Sequence, residues 1–227
     1  MKLIKDIRIY RSQTENIAGS SMPQQFSNYA LHITAHRIAM KLRENGFSLG
    51  DFDHLYINLT TCPVADQLAP SKRGADPFHK WYREYDAEIS PQFYDTLETP
   101  QCIRPVTEIL EQVLLKFFCS PQYDPELIHA CISDALAQGA QMLVKYKEKQ
   151  ASGRKAILYL RYLDNGRYFP LLRVYDADDT RLLEQDLPET NHLDAYGTIR
   201  LSAKKVTIQP KKSAYAQTPE PLTFFIP

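Results

Sequence analysis

Two histidines lie four residues apart in a segment that is predicted to be helical. His32 and His36 would share one helix face, and two imidazoles at this spacing can supply two ligands to a metal ion. Zinc proteases with this spacing carry Glu directly after the first His, where this chain has Ile33. Because no third ligand is suggested, we predict no metal site and no cofactor, and interpret both histidines as surface or hydrogen-bonded residues.

Carboxylates flank another histidine at the start of a predicted strand. Asp51, Asp53 and His54 could form a proton-transfer site, since a carboxylate can orient an imidazole as a general base. A nucleophile would have to come from elsewhere; Cys62 qualifies by type, but its neighbours match no catalytic signature. A small hydrolase with a His/Asp or metal-assisted site is therefore the alternative function, although we assign no catalytic residue. Without such a function, these polar residues would simply solvate the start of the strand.

The common glycine-rich motifs are missing from the sequence. No P-loop, dinucleotide-binding or nucleophile-elbow motif occurs, and the chain has only 8 Gly. These motifs need glycine where the backbone approaches a phosphate or turns sharply. Familiar nucleotide enzymes and α/β-hydrolases are therefore disfavoured, and we lean towards a protein that is not an enzyme.

Acidic residues cluster in a segment that we interpret as a loop. Residues 176–189 carry a formal charge of −5, while residues 200–212 carry +5 and no acid. A solvated loop and an edge strand protected by lysines would explain this pattern structurally. An acidic surface that attracts a basic partner would explain it functionally. The predicted partner-binding residues of the loop are Asp176, Asp178, Asp179, Glu184, Asp186 and Glu189. The basic residues are Arg200, Lys204, Lys205, Lys211 and Lys212.

Aromatic residues recur at helical spacing near the middle of the chain. A helix that starts near Asp76 would place Phe78, Trp81, Tyr82 and Tyr85 on one face. Such a stripe can fill a core, but Trp and Tyr are also frequent anchors of protein interfaces. We therefore include Trp81 among the predicted partner-binding residues.

Residues 156–163 and 167–175 are predicted to form a hairpin, because Asn165-Gly166 favours a two-residue type I′ turn. Arg and Tyr in these strands could contact nucleic acid. The two-residue turn would place Tyr162 beside Phe169 on one face and Tyr159 beside Leu172 on the other. Both faces would then be apolar, so we do not favour nucleic-acid binding.

The remaining elements alternate irregularly between strands and helices. Strands are predicted at 3–10, 52–60 and 198–209, a polar loop at 12–25, and a helix at 27–45. Two further helices, at about 105–118 and from 124 to before Gly153, should pack as a hairpin. This order predicts an α+β fold, a mostly antiparallel sheet packed beside a layer of helices. We expect a single domain over 1–227, with a helical part at about 76–150 and a β-rich part at about 155–209.

Composition indicates a globular protein of the cytoplasm. The 227 residues are 44% hydrophobic, enough for a sizeable core, and the 27 basic and 27 acidic residues cancel, which disfavours a general phosphate-backbone binder. Charges interrupt the apolar residues of the N-terminus, and no apolar run is long enough for a bilayer, so we expect neither secretion nor a membrane. Four unpaired cysteines fit a reducing compartment.

The strand at 52–60, Phe-Asp-His-Leu-Tyr-Ile-Asn-Leu-Thr, resembles part of the bacterial immunity proteins of polymorphic toxin systems. The resemblance covers this strand and the general layout, and it transfers no individual residue. It implies a non-enzymatic inhibitor that covers a toxin's active site, with an acidic surface where the toxin is a basic nuclease. We therefore predict a protein-binding module, an immunity-type inhibitor of a cognate bacterial toxin, with a basic toxin domain as partner. The state of homo-oligomerisation stays open.

Overall fold

The computed structural model describes residues 1–13, 24, 27–73, 78–211 and 220–227. The chain divides into two compact units, Met1–Gly139 and Ala140–Pro227. Among the described residues, no helix is both long and apolar enough to cross a bilayer. Most of the predicted loop at 12–25 and the predicted helix start at Asp76 lie outside these residues.

The first unit combines a four-stranded sheet with helices. Its elements are β1 (Asp6–Ser12), α1 (Tyr29–Glu44), β2 (His54–Thr60), β3 (Leu68–Pro70), β4 (Tyr82–Glu88), α2 (Pro91–Tyr94), α3 (Ile103–Phe118) and α4 (Pro125–Gln138). The strand order is β1-β2-β4-β3; β2 runs parallel to both β1 and β4, and β3 is antiparallel to β4. Helices α3 and α4 contact each other, as predicted, and α1 contacts β1.

Local signals place α1 and β2 close to their predicted positions. The Asn28 side chain caps α1 by accepting a hydrogen bond from the Leu31 N–H, and Gly46, with φ of +76°, follows the helix. In β2 the alternating residues Leu55, Ile57 and Leu59 are fully buried. The prediction of one buried face was incomplete, because Tyr56 and Asn58 on the other face are also buried.

The helix predicted from Asp76 is wrong. Residues 82–88 form strand β4, which pairs in parallel with β2 from His54↔Tyr82 to Thr60↔Glu88. Tyr82, Glu84 and Asp86 share one side of this strand, while the more buried Tyr85 and Ala87 share the other. Aromatic residues suit a strand as well as a helix, and pairing with β2 decides between the two periods.

The second correction concerns the end of α4. The prediction continued this helix almost to Gly153, but it stops at Gln138 because Gly139 adopts φ of +51°. Val144–Ala151 then forms strand β5, in which Val144 is buried and Lys145 is exposed. The predicted helical part at about 76–150 thus contains β4 and β5.

The second unit is built from two antiparallel sheets. One has the order β5-β6-β7-β8 and adds β6 (Arg154–Tyr162), β7 (Tyr168–Tyr175) and β8 (Arg181–Asp186). The other has the order β11-β10-β9, formed by β9 (Thr198–Leu201), β10 (Lys205–Gln209) and β11 (Leu222–Phe225). The predicted strand at 198–209 is therefore a pair of strands. The two sheets share one core, to which Leu158, Leu172, Val206 and Ile208 contribute.

The β6–β7 hairpin is confirmed, but its turn differs by one residue. Leu163 N–H donates to Arg167 O at 2.9 Å, and Tyr162 pairs with Tyr168. Gly166 alone in this loop has a positive φ, +74°, so the loop has three residues and ends in a left-handed glycine. The one-residue shift places Arg161, not Tyr162, opposite Phe169.

The α+β class is confirmed, with both sheets of the second unit wholly antiparallel. The parallel pairs of the first unit are an addition to the predicted pattern. The β1–β2 pair is parallel because α1 lies between these strands along the chain, and a crossover of this kind returns a strand in the same direction.

Candidate binding surface

One face of the parallel sheet collects polar and aromatic side chains from three strands. In the register, His54 of β2 lies between Asp6 of β1 and Tyr82 of β4. One step further, Tyr56 lies between Arg8 and Glu84. Successive side chains in a strand point to opposite faces, so these residues share the face opposite Leu55 and Ile57.

Tyr56 is the centre of a group of aromatic rings on this face. The Tyr56 and Tyr82 rings are stacked, with centroids 4.5 Å apart and planes 16° apart. Tyr10 contributes a tilted ring at 5.3 Å and His54 an edge-on ring at 6.5 Å from Tyr56. We define the Tyr56 cluster as Tyr10, His54, Tyr56, His79, Trp81 and Tyr82.

The cluster reaches solvent at the segment that leads into β4. Trp81 is 41% exposed, its ring centroid is 6.2 Å from Tyr82 and 4.5 Å from His79, and Phe78 is 87% exposed. The predicted interface residue Trp81 is therefore exposed, but on a turn before a strand and not on a helix. The half-buried Tyr82 ring lies between Trp81 and the buried Tyr56, so Trp81 packs against other rings of the cluster.

The Tyr56 hydroxyl is part of this support. Burial raises the pKa of Tyr56, and the nearby Arg8 opposes that rise without cancelling it. The hydroxyl therefore stays protonated at neutral pH. Trp81 hydrogen-bonds the Tyr56 side chain, and an indole can only donate, so Tyr56 accepts this bond. The Arg8 guanidinium lies over the Tyr56 ring at 5.5 Å.

An Asp–His pair adjoins the cluster, as the residue types suggested. His54 Nδ1 is 2.6 Å from Asp53 Oδ1, and Lys5 Nζ is 2.6 Å from Asp53 Oδ2. Burial alone would raise the pKa of Asp53, but the hydrogen bonds from Lys5 and His54 hold it below its ordinary value. The carboxylate is therefore ionised, and Nδ1 of His54 carries the shared proton.

A second Asp–His pair joins the neighbouring strand β1 to helix α1. His36 Nδ1 is 3.1 Å from Asp6 Oδ1, and Arg8 Nε donates to Asp6 Oδ2 at 2.8 Å. His36 therefore has a carboxylate partner, which agrees with our interpretation of this residue as hydrogen-bonded. Within the described residues, no three His, Cys, Asp or Glu side chains are grouped to hold a metal.

The other residues considered for hydrolysis are not gathered at His54. Cys62 follows the far end of β2, and eight extended residues span roughly 25 Å. Asp51 is 78% exposed and pairs with Arg83 at 3.0 Å. The structure thus provides an Asp–His pair, but the cysteine proposed by type lies at the opposite end of the strand.

Buried polar side chains connect the strands at that opposite end. Asn58 Nδ2 donates to Ser12 Oγ at 3.0 Å and to Asp86 Oδ1 at 2.9 Å. Arg73 pairs with Glu84 at 2.7 Å and with Asp86 at 2.6 Å. These hydrogen bonds link β1, β2 and β4 side by side, which supports the parallel register that assembles the Tyr56 cluster.

The predicted acidic residues lie in the second unit, and the interpretation of their segment as a loop was partly wrong. Asp176, Asp178 and Asp179 lie in the turn after β7, but Glu184 and Asp186 belong to β8. The Asp176 carboxylate accepts the N–H groups of Asp178 and Thr180, at 3.0 and 2.9 Å, and so shapes the turn.

Basic side chains of the same unit neutralise most of this acidic segment. Arg173 Nε lies 2.7 Å from Glu184 Oε2, and this hydrogen bond, followed by that from Arg181, lowers the pKa of Glu184. Ion pairs join the remaining partners, Asp179 with Lys155, Asp186 with Arg161, and Glu189 with Arg167. Five cations thus pair with four of the six carboxylates, because Arg173 and Arg181 both contact Glu184.

The corrected hairpin register explains where these cations come from. Arg161 and Arg173 share a face with Tyr159 and Phe169. The Arg161 guanidinium lies 4.1 Å from the centre of the Phe169 ring, and that of Arg173 lies 5.3 Å from Tyr159. Each cation is held between a ring and a carboxylate, so the Arg and Tyr residues considered for nucleic acid are engaged within the unit.

As far as the described residues show, the C-terminal basic residues form no ion pair with the acidic segment. Lys211 pairs with Asp194 at 3.1 Å, and Lys212 lies outside the described residues. The negative charge of residues 176–189 is thus balanced mainly by basic side chains of β6 and β7, and not by the basic segment that follows it in the sequence.

The Tyr56 cluster was largely missed by sequence analysis. Its strongest available signal was the alternation of His54 and Tyr56 with buried aliphatic residues in β2. That pattern says which side chains share a face, but it cannot say that Arg8 and Tyr82 come from neighbouring parallel strands.

Comparisons of the chain with protein-family models, with curated proteins and with solved structures found no match. Function is therefore inferred from the geometry of the chain itself.

Proposed function

We propose that the chain is a non-enzymatic protein-binding module whose docking surface is the Tyr56 cluster, with Trp81 as the anchor. Its most specific form is an immunity-type inhibitor that neutralises a cognate bacterial toxin, as the resemblance of strand 52–60 suggests. The observation that carries the proposal is the exposed Trp81 ring, which packs beside the half-buried Tyr82 ring that is stacked on the buried Tyr56 ring.

The physical support comes from what interfaces need. Residues that dominate binding energies are mostly Trp, Tyr and Arg, placed in well-packed surroundings. Trp81, Tyr82 and Arg8 meet this description on one surface. Because Tyr56 and Tyr82 already hold the surface in place, little side-chain entropy is lost when a partner docks.

The acidic residues 176–189 remain a predicted second contact region, but they contribute less to the proposal than their number suggests. Long-range attraction depends on net charge, and here four of the six carboxylates are paired with a cation. The proposal therefore depends on Trp81 and not on the acidic segment.

Replacing the anchor tests the proposal. The chain is co-expressed in bacteria with each candidate toxin domain encoded by the genes that flank its own, and growth and the dissociation constant are measured. We expect the wild type to restore growth. Trp81→Ala should weaken binding by at least about 30-fold, as expected for a central interface residue that contributes about 2 kcal/mol.

A matched control uses an exposed aromatic residue of the second unit. Phe225 is 78% exposed, and Phe225→Ala should leave binding and growth unchanged. Absence of protection by the wild type would contradict the immunity function. Equal binding by wild type and Trp81→Ala would contradict the docking surface.

The hydrolase remains the second candidate because of the Asp53–His54 pair. A carboxylate that holds Nδ1 of an imidazole leaves Nε2 available as a general base. Catalysis also needs a nucleophile or an activated water, and the described residues place neither Cys62 nor a metal-ligand group beside His54. The exposed aromatic surface therefore favours binding over hydrolysis.

A further inference from the structure

The charged residues around the Tyr56 cluster are arranged asymmetrically with respect to solvent. The Lys5 side chain is 55% exposed, whereas its partner Asp53 is 6% exposed. The Arg8 side chain is 47% exposed, whereas its partner Asp6 is 19% exposed. In both ion pairs the cation lies at the surface and the carboxylate lies beneath it.

A third cation completes this rim. Lys80 directly precedes Trp81 and is exposed. The opposite arrangement occurs once, at Asp51, which is 78% exposed while Arg83 is 28% exposed. A molecule that approaches the cluster therefore meets Lys5, Arg8 and Lys80 against one accessible carboxylate.

The same sheet face argues against an extended nucleic-acid track. Level with Tyr56 and beyond it, this face carries Glu84 and Asp86, which share the single cation Arg73, so it provides no continuing line of cations for successive phosphates. The positive rim is local and surrounds exposed aromatic rings. That combination fits a short segment that carries carboxylates beside an apolar side chain.

We propose that the partner segment that docks on the Tyr56 cluster is an acidic protein segment, with an apolar side chain against Trp81 and carboxylates at Lys5, Arg8 and Lys80. This inference rests on the proposed function and names the chemistry of its partner. It differs from the basic partner expected from the sequence, which would contact the acidic segment of the second unit and not the Tyr56 cluster.

Trp81 is the chain's single Trp, so its fluorescence reports directly on this surface. The full chain is titrated with a peptide of one Phe flanked by four Glu, with the same peptide carrying four Lys, and with oligothymidylate. We expect saturable changes with the Glu peptide at a dissociation constant at least about tenfold below that of the Lys peptide. Added salt should weaken this binding.

Charge reversal at Lys80 provides the matched variant. No ion pair is formed by Lys80 among the described residues, and Lys80→Glu should weaken binding of the Glu peptide about three- to tenfold without changing the melting temperature. The control, Lys149→Glu, reverses an exposed lysine of the second unit and should leave binding unchanged.

The outcomes separate this inference from the proposed function. Equal binding of both peptides, or tighter binding of the Lys peptide, would overturn the acidic partner but keep a peptide-docking surface. Tighter binding of oligothymidylate would overturn it in favour of nucleic acid. No response to any probe would overturn both the acidic partner and the docking surface.

Discussion

Asp53 shows how one buried carboxylate supports the candidate surface. Its side chain is 6% exposed and lies within hydrogen-bonding distance of Lys5 and His54. These bonds favour the ionised form more than burial opposes it, so the pKa is lower in the folded chain than in the unfolded chain. The stabilisation is present above the unfolded value of about 3.9 and is lost as the pH falls through the folded value.

This linkage predicts the pH dependence of Asp53→Asn. At pH 6 the substitution should lower the unfolding free energy of the first unit by about 1.5–3 kcal/mol, since it removes hydrogen bonds to a charged group. At about pH 2 the difference should shrink, because wild-type Asp53 is then being protonated as well. Urea unfolding followed by Trp81 fluorescence measures both values.

The control for this prediction is Asp178→Asn, which changes an exposed carboxylate of the turn after β7. It should leave the Trp81 transition unchanged at both pH values. A loss for Asp53→Asn that is the same at both pH values would show that the effect comes from packing and not from ionisation.

Among the elements, the β6–β7 hairpin shows how a turn sets the chemistry of a whole face. The sequence Asn165-Gly166 favoured a two-residue turn, but the loop closes as three residues, with Gly166 in the left-handed region. Because side chains alternate along a strand, one residue of shift exchanges the pairing across both faces. Arg161 and Arg173 thereby join Tyr159 and Phe169, and Leu158 and Leu172 join the core.

A substitution in the turn tests the left-handed conformation of Gly166. Gly166→Ala should destabilise the second unit by about 1 kcal/mol, because a Cβ disfavours a φ of +74°. The control Asn165→Asp should be nearly neutral, since its side chain can still accept the Arg167 N–H hydrogen bond. In a type I′ turn Asn165 would also need a positive φ.

Urea unfolding followed by circular dichroism, on residues 140–227 or on the full chain, measures both changes. Equal stability of Gly166→Ala and wild type would contradict the three-residue loop with a left-handed glycine.

For the molecule as a whole, the division into two units has a testable consequence. The core cluster of the second unit comes entirely from residues after Ala140, including Leu158, Leu172, Val206 and Ile208, each at most 1% exposed. A chain segment that supplies its own core can fold alone. We therefore expect residues 140–227 to give a dispersed amide NMR spectrum and a cooperative thermal transition.

Leu158→Asp in this fragment is the negative control. It buries an unpaired carboxylate in the core, so the dispersion should collapse. An unfolded wild-type fragment would show instead that the second unit needs residues of the first.

Local sequence patterns were sufficient for elements whose signals lie within a few residues. The Asn28 cap and Gly46 bound α1, the apolar face of 106–118 defines α3, and alternation places β2. These signals depend on side-chain period and capping, which act between near neighbours in the chain. They also sufficed for the α+β class.

Pairing between distant segments determined the features that local patterns did not predict. Tyr82–Glu88 became a strand because β2 offers a parallel partner, and the acidic segment lost most of its net charge because β6 and β7 place cations beside it. The Tyr56 cluster exists only because the register sets Arg8, Tyr56 and Tyr82 on neighbouring strands. Contacts between residues dozens of positions apart produce no periodic pattern in a single sequence. Composition and spacing could therefore single out Trp81, but they could not identify the residues that surround it.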